Sequence, residues 1–117
     1  MVPDPAAVDP FERGVRLFNA HQFFECHEVW EELWRPSRPP ERLFLQSLIH
    51  LAVAFYHHQQ GNRDGRERQL VKGLRKLAGY LPRFGRVDTA RLYRETVAWR
   101  ESRGDYPTDY PKCHDQT

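Results

Sequence analysis

The sequence has few of the residues that define several common classes of protein. Only two of its 117 residues are cysteine, too few for the disulfide framework of a small secreted domain. No apolar run approaches the roughly 20 residues that span a bilayer. Residues 1–10 are acidic and proline-rich and lack the basic and apolar regions of a signal peptide. We therefore predict a cytoplasmic protein without a membrane segment.

The charges are nearly balanced, with 18 Lys and Arg against 16 Asp and Glu, so the net charge argues neither for nor against a polyanionic partner. Aromatic residues are plentiful, with seven Phe, five Tyr and three Trp, which excludes an intrinsically disordered chain. The length favours one domain. So many large aromatic side chains on a short chain are also compatible with a homodimer.

Capping signals and hydrophobic spacing predict helices along most of the chain. Asp9 is followed directly by Pro10, and Glu12 lies three positions after Asp9, which is the pattern of a helix N-cap. Asp88 is predicted to cap the last helix, and Gly61–Asn62 is predicted to end the third. The expected helices cover about residues 10–20, 22–35, 41–60, 64–81 and 88–103.

The third predicted helix is the most apolar part of the sequence. Eleven of the fourteen residues from Leu43 to Tyr56 are apolar, so the helix has no wide polar face and should be central and buried. Short links favour antiparallel neighbours. We predict an all-α fold, a compact array of about five mostly antiparallel helices around the helix 41–60. Residues 1–103 form one domain in this interpretation, and residues 104–117 form an extended or mobile tail.

Polar residues interrupt the apolar faces of the second and third helices. His27 lies in the middle of the apolar arc of the second helix, and Glu31 follows one turn later, within reach of the imidazole. A buried imidazole or carboxylate needs a partner. Gln46, His50 and His57 form a line along the third helix. These residues predict a His–Glu polar cluster that faces the inside of the array.

A longer pattern resembles a known family. The segment Phe18–Arg35 contains the order Phe-x-x-His-Glu-x-x-Glu-x-x-Trp, and the segment Leu45–His57 follows it. Together they resemble the signature of the bacterial and archaeal domain of unknown function 309 family, over roughly residues 11–100. The resemblance implies an all-α fold of packed antiparallel helices, and it implies no established reaction. The family's distinctive polar positions fall on His27, Glu28, Glu31 and Gln46, and its aromatic position falls on Trp34.

Two functions follow from the polar cluster. In the first, the chain is a structural or partner-binding module, and the His27–Glu31 pair ties the second helix to the third. In the second, four residues form a site for a divalent transition metal or for hydrolase-like acid–base chemistry. The four residues of that site are His27, Glu31, His50 and His57. No reaction, cofactor or partner protein is named by either interpretation.

A third alternative concerns the fourth helix. Residues 61–86 contain eight basic and two acidic residues, whereas residues 21–32 contain four acidic residues and no Lys or Arg. The basic face consists of Arg68, Lys72, Arg75 and Lys76. Such a face can bind nucleic acid weakly through phosphates, but a solvated helix face is the commoner explanation. The basic face and the acidic segment could equally pair with each other, between helices or between subunits.

Each cysteine precedes a histidine, in the pairs Cys26-His27 and Cys113-His114. Adjacent side chains on a helix point about 100° apart, and the usual spacing of zinc ligands is missing. We therefore expect two unrelated reduced thiols rather than a shared zinc site.

Overall fold

The computed structural model describes residues 9–102 and 110–114 as an all-α structure. The five α-helices are α1 (Pro10–Asn19), α2 (Phe23–Trp34), α3 (Glu41–Gln59), α4 (Arg63–Leu77) and α5 (Thr89–Glu101). A 3-10 turn (Ala78–Tyr80) follows α4. Over the described ranges, β pairing is limited to an isolated bridge between Phe84 and Val87. The predicted fold class is confirmed.

Side-chain caps begin three of the helices. The Asp9 carboxylate accepts a hydrogen bond of 2.7 Å from the backbone N–H of Phe11, and Asp88 caps α5 in the same way. Asn62, predicted as part of the stop of the third helix, is also the N-cap of α4 and accepts a hydrogen bond from its first turn. α4 ends at Leu77, four residues before its predicted end, and only the 3-10 turn follows.

α3 is the central helix, as predicted. It packs against α2 on one side and against α4 on the other, while α1 packs on α2 and α5 packs on α4. Leu48, Leu51 and Phe55 of α3 are completely buried. Because α3 is covered from two sides, the outer faces of α2 and α4 are separated by the core.

The contact between α1 and α2 depends on a position without a side chain. A Cβ atom at Gly14 would lie 2.0 Å from the indole nitrogen of Trp30, so the tryptophan ring occupies the space that any other residue would need. The same indole N–H donates a hydrogen bond of 3.2 Å to the carbonyl of Phe11. Trp30 is completely buried and joins α2 to α1.

Part of the predicted tail belongs to the core. Tyr110 and Cys113 are 8% and 4% exposed, and residues 110–114 have no regular secondary structure. The Asn19 side chain holds this segment, because its amide donates to the Cys113 carbonyl (3.0 Å) and its oxygen accepts from the Cys113 N–H (2.9 Å). The Tyr110 hydroxyl and the His58 Nδ1 are hydrogen-bonded at 2.7 Å. Residues 103–109 and 115–117, the rest of the predicted tail, lie outside the described residues.

The two cysteines are free and buried. Burial raises the pKa of the Cys113 thiol to about 12, and it raises the pKa of Cys26 even further, with the nearby Cys113 as a second cause. Both groups are therefore neutral near pH 7, and their free state agrees with the reduced thiols expected from the sequence.

None of the helices in the described ranges combines the length and the apolar character needed to cross a bilayer. A cytoplasmic location stays a prediction.

Replacing Gly14 with alanine should destabilise the fold by about 2 kcal/mol or more, because the added methyl group would overlap the Trp30 ring and the buried ring cannot move without disturbing the core. The free energy of unfolding in urea measures the effect. Gly79→Ala is the matched control, since nothing lies within 4 Å of a Cβ atom at Gly79. Equal stabilities of the two variants would contradict the proposed role of Gly14.

Candidate functional site

The His27 imidazole and the Glu31 carboxylate are in contact along α2, one turn apart. The imidazole Nε2 lies 3.1 Å from the Glu31 Oε2, and the two side chains are 26% and 40% exposed. The i, i+4 contact predicted from the sequence is therefore present. The pair is half-buried at the edge of the core, however, and water reaches both groups.

A small cleft lies beside this pair, between α2 and α3. Its volume is about 160 Å³, and its lining residues are Phe23, Phe24, His27, Val53, Tyr56 and His57. Phe24 is 47% exposed and stands at the mouth of the cleft, with its ring centre 5.4 Å from that of Tyr56 and 5.9 Å from that of His27. The cleft thus combines an apolar wall with two imidazoles.

His57 reaches this cleft from α3, and its partner lies outside it. The Asn62 amide is 3.4 Å from the His57 Nδ1, and since the amide is the donor, Nδ1 is the acceptor. The other ring nitrogen then carries the proton. His27 and His57 line one cleft, and Glu31 contacts His27 from the same helix.

His50 is turned away from this cleft and towards α4. Its Nδ1 lies 2.7 Å from the Gln69 side-chain oxygen, and its Nε2 lies 3.1 Å from the Lys76 ammonium. A neutral ring with its proton on Nδ1 satisfies both partners, because it donates to Gln69 and accepts from Lys76. Burial lowers the pKa of His50, and the charges of Lys76 and Lys72 oppose the gain from the hydrogen bond to Gln69.

The four-residue metal site predicted from the sequence is therefore not assembled. His50 has both ring nitrogens engaged with Gln69 and Lys76, away from the cleft that His27 and His57 line. In residues 9–102 and 110–114, no group of three or more His, Cys, Asp or Glu is placed to hold a metal ion. His50 and His57 lie on the same side of α3 but do not meet, because they are seven residues, or about 10 Å, apart along the helix axis.

The Trp34 ring is covered by Arg42 and does not line the cleft. The guanidinium carbon of Arg42 lies 3.9 Å from the centre of the Trp34 ring, and the Arg42 Nη1 donates to the carbonyls of Trp34 (2.9 Å) and Ser37 (3.2 Å). Arg42 therefore covers the C-terminal end of α2, where backbone carbonyls lack helical partners. The sequence analysis missed Arg42, although a basic residue just after the proline-rich link was visible.

The remaining predicted site residues do not reach the cleft. Gln46 is half-buried on α3, and within the described ranges its side chain makes no hydrogen bond. Glu28 is exposed on the outer face of α2. The predicted cluster thus divides into His27, Glu31 and His57 at the cleft, with Gln46, His50, Glu28 and Trp34 elsewhere.

The profile of a family described as a domain of unknown function (DUF309) matches residues 11–69. This chain belongs to that family. The matched residues contain α1, α2, α3 and the beginning of α4, so they include the whole cleft, whereas the resemblance was expected to continue to about residue 100. The chain is also 38% identical over 64 residues to the uncharacterized protein YpuF of Bacillus subtilis (strain 168). The match covers 54% of this chain and 37% of that protein, so the chain spans little more than a third of the relative's length.

Exposed negative charges lie on α2 and exposed positive charges lie on α4. Three glutamates, Glu25, Glu28 and Glu32, are exposed on α2, and no cation in the described part of the chain pairs with them. On α4, the predicted basic face is narrower than expected, because Lys76 turns towards His50. The other three residues of that face, Arg68, Lys72 and Arg75, are exposed.

Acidification from pH 7 to about pH 5 should destabilise the protein in part through His50. Its pKa in the folded state lies below the ordinary 6.5, so the unfolded chain takes up a proton that the folded chain resists, and stability falls as the pH drops below 6.5. Urea unfolding at the two pH values should show a smaller loss for His50→Gln than for the wild type. The same loss in both proteins would show that His50 does not contribute.

Proposed function

We propose that this chain is a partner-binding helical module. Its docking surface consists of the exposed glutamates of α2 and the cleft between α2 and α3, and its partner is a basic amphipathic helix. The observation that carries the proposal is the position of Phe24, a half-exposed aromatic side chain. It stands at the mouth of the cleft and beside a row of glutamates that have no cationic partner in the described part of the chain.

The charge of α2 selects the chemistry of the partner. Glu25, Glu28 and Glu32 are exposed on the outside of α2, and Glu31, half-exposed, is shared with His27. A row of like charges attracts Lys and Arg and repels an acidic partner, which gives specificity and faster association. A helix that presents Lys or Arg every three or four residues can reach several of these carboxylates at once.

The size of the cleft favours a protein side chain over a small molecule. Sites for small molecules usually measure roughly 300–1,000 Å³, and this cleft measures about 160 Å³. Its volume suits one apolar side chain of a partner. That side chain would contact Phe24 and Tyr56, and aromatic side chains of this kind are frequent anchors of protein interfaces.

The His27–Glu31 pair supports this surface in two ways. It satisfies a half-buried imidazole at the wall of the cleft, and it holds one carboxylate oxygen of Glu31 at a defined position on the docking face. A partner Lys or Arg would bind the same carboxylate. The acid–base alternative has weaker support, because among the described residues only His57 joins the pair at the cleft as a further basic group, and its Nδ1 already accepts a hydrogen bond from Asn62.

An amphipathic peptide of leucine and lysine tests the proposal. In NMR spectra of the isotope-labelled protein, the peptide should shift the signals of α2 between Phe24 and Glu32 and that of Tyr56, and added salt should weaken its binding. Phe24→Ala should weaken binding about tenfold, which corresponds to about 1.4 kcal/mol.

Leu43→Ala is the control, because Leu43 is 49% exposed but does not line the cleft. A peptide of leucine and glutamate with the same spacing should not bind. Shifts confined to α4, or equal binding by the two peptides, would overturn the proposal.

A further inference from the structure

The charges on the outer side of α2 follow a definite order. From the N-terminal end they are Glu25, Glu28, Glu32 and Arg35, at intervals of three, four and three residues, and all four are exposed. Arg35 directly follows the last residue of α2 and keeps helical backbone angles. The helix therefore presents three negative charges and then one positive charge.

The outer side of α4 carries the opposite order when it is read backwards. From the C-terminal end the exposed residues are Arg75, Lys72, Arg68 and Asp64, at intervals of three, four and four residues. α4 therefore presents three positive charges and then one negative charge. Within the described ranges, none of these eight side chains forms an ion pair.

We propose that the basic helix received by α2 is α4 of a second copy of this chain, in antiparallel orientation. This inference rests on the proposed function and names a partner for the acidic part of that surface; the cleft takes no part, because Leu70, Leu74 and Leu77 of α4 are buried in their own core. In that orientation, each charge of α2 faces an opposite charge of α4. The four pairs are Glu25 with Arg75, Glu28 with Lys72, Glu32 with Arg68, and Arg35 with Asp64.

The two residues at the ends of the pattern determine the orientation. In a parallel arrangement, Glu25 would face Asp64 and Arg35 would face Arg75, so two of the four pairs would repel. Like charges opposite each other disfavour an interface, and charge patterns of this kind set the orientation of paired helices. The antiparallel arrangement has four attractive pairs.

The same pairs do not form within one copy. α2 and α4 pack on different sides of α3 and share no extensive contact, so the two patterns can meet only between molecules. A copy that offers α2 to one neighbour keeps α4 available for another, so the contact is heterologous.

Individual exposed ion pairs are weak, so association should occur at high protein concentration and disappear as salt rises from about 0.01 M to about 0.5 M.

Charge reversal on each helix tests the inference by analytical ultracentrifugation of the full chain. The double variants Glu25→Lys/Glu28→Lys and Lys72→Glu/Arg75→Glu should each be monomeric where the wild type associates. A mixture of the two variants should regain association, because each altered helix then meets a complementary partner. Glu101→Lys and Arg94→Glu, both exposed on α5, are controls that should leave association unchanged.

The orientation has its own test. Arg35→Glu should weaken self-association severalfold, and the added change Asp64→Arg should restore it. Circular dichroism checks that every variant is folded. A wild type that stays monomeric at low salt and high concentration, or variants that associate as well as the wild type, would overturn the inference.

The peptide experiment separates the two proposals. If the wild type bound the leucine–lysine peptide at α2 but did not self-associate, only the second copy as partner would be refuted. If the wild type neither bound the peptide nor self-associated, both proposals would be refuted. If RNA or DNA bound at Arg68, Lys72 and Arg75 in place of a second copy, the basic face would serve nucleic acid and this inference would be wrong.

Discussion

α3 is apolar around nearly its whole circumference, so it can be stable only with other helices on more than one side. α2 and α4 cover it, and Leu48, Leu51 and Phe55 of α3 are completely buried as a result. This single constraint explains much of the architecture. It places the acidic α2 and the basic α4 on different sides of the core, and it leaves their polar faces in solvent.

Close packing around α3 then decides what the histidines can do. His50 lies where α4 packs closely on α3, because a Cβ atom at Gly73 would be 2.8 Å from the Leu51 side chain and 3.2 Å from the His50 Cβ. The ring is consequently held between Gln69 and Lys76. His57 lies beyond that contact and reaches the cleft beside α2. Two imidazoles on one helix thus have different partners and different chemistry.

The exposed charges of α2 and α4 are divided between the two helices, acidic on α2 and mainly basic on α4. At the cleft the Glu31 carboxylate contacts the His27 imidazole, and the exposed glutamates of α2 lack cationic partners among the described residues. Separation of charge across a small helical protein costs little when both faces are hydrated, and it becomes favourable when an opposite face binds. A docking function uses this separation directly, whereas a metal site would require ligands that the fold keeps apart.

The sequence by itself determined the features that depend on neighbouring residues. The caps at Asp9 and Asp88, the central apolar helix and the His27–Glu31 contact all follow from spacing over one or two helical turns, where geometry is nearly fixed. The family pattern was visible for the same reason, since it lies within two consecutive helices.

Contacts between distant parts of the chain were decided only by the tertiary structure. The hydrogen bonds of Asn19 to Cys113 and the turn of His50 towards α4 have no local signal. Helical periodicity states which side of a helix a residue occupies, but it does not state which helix will cover that side or how closely. Packing of the whole core decides both points. It leaves His27 and His57 at a cleft, places Trp34 under Arg42, and turns the half-buried His50 to hydrogen bonds with Gln69 and Lys76.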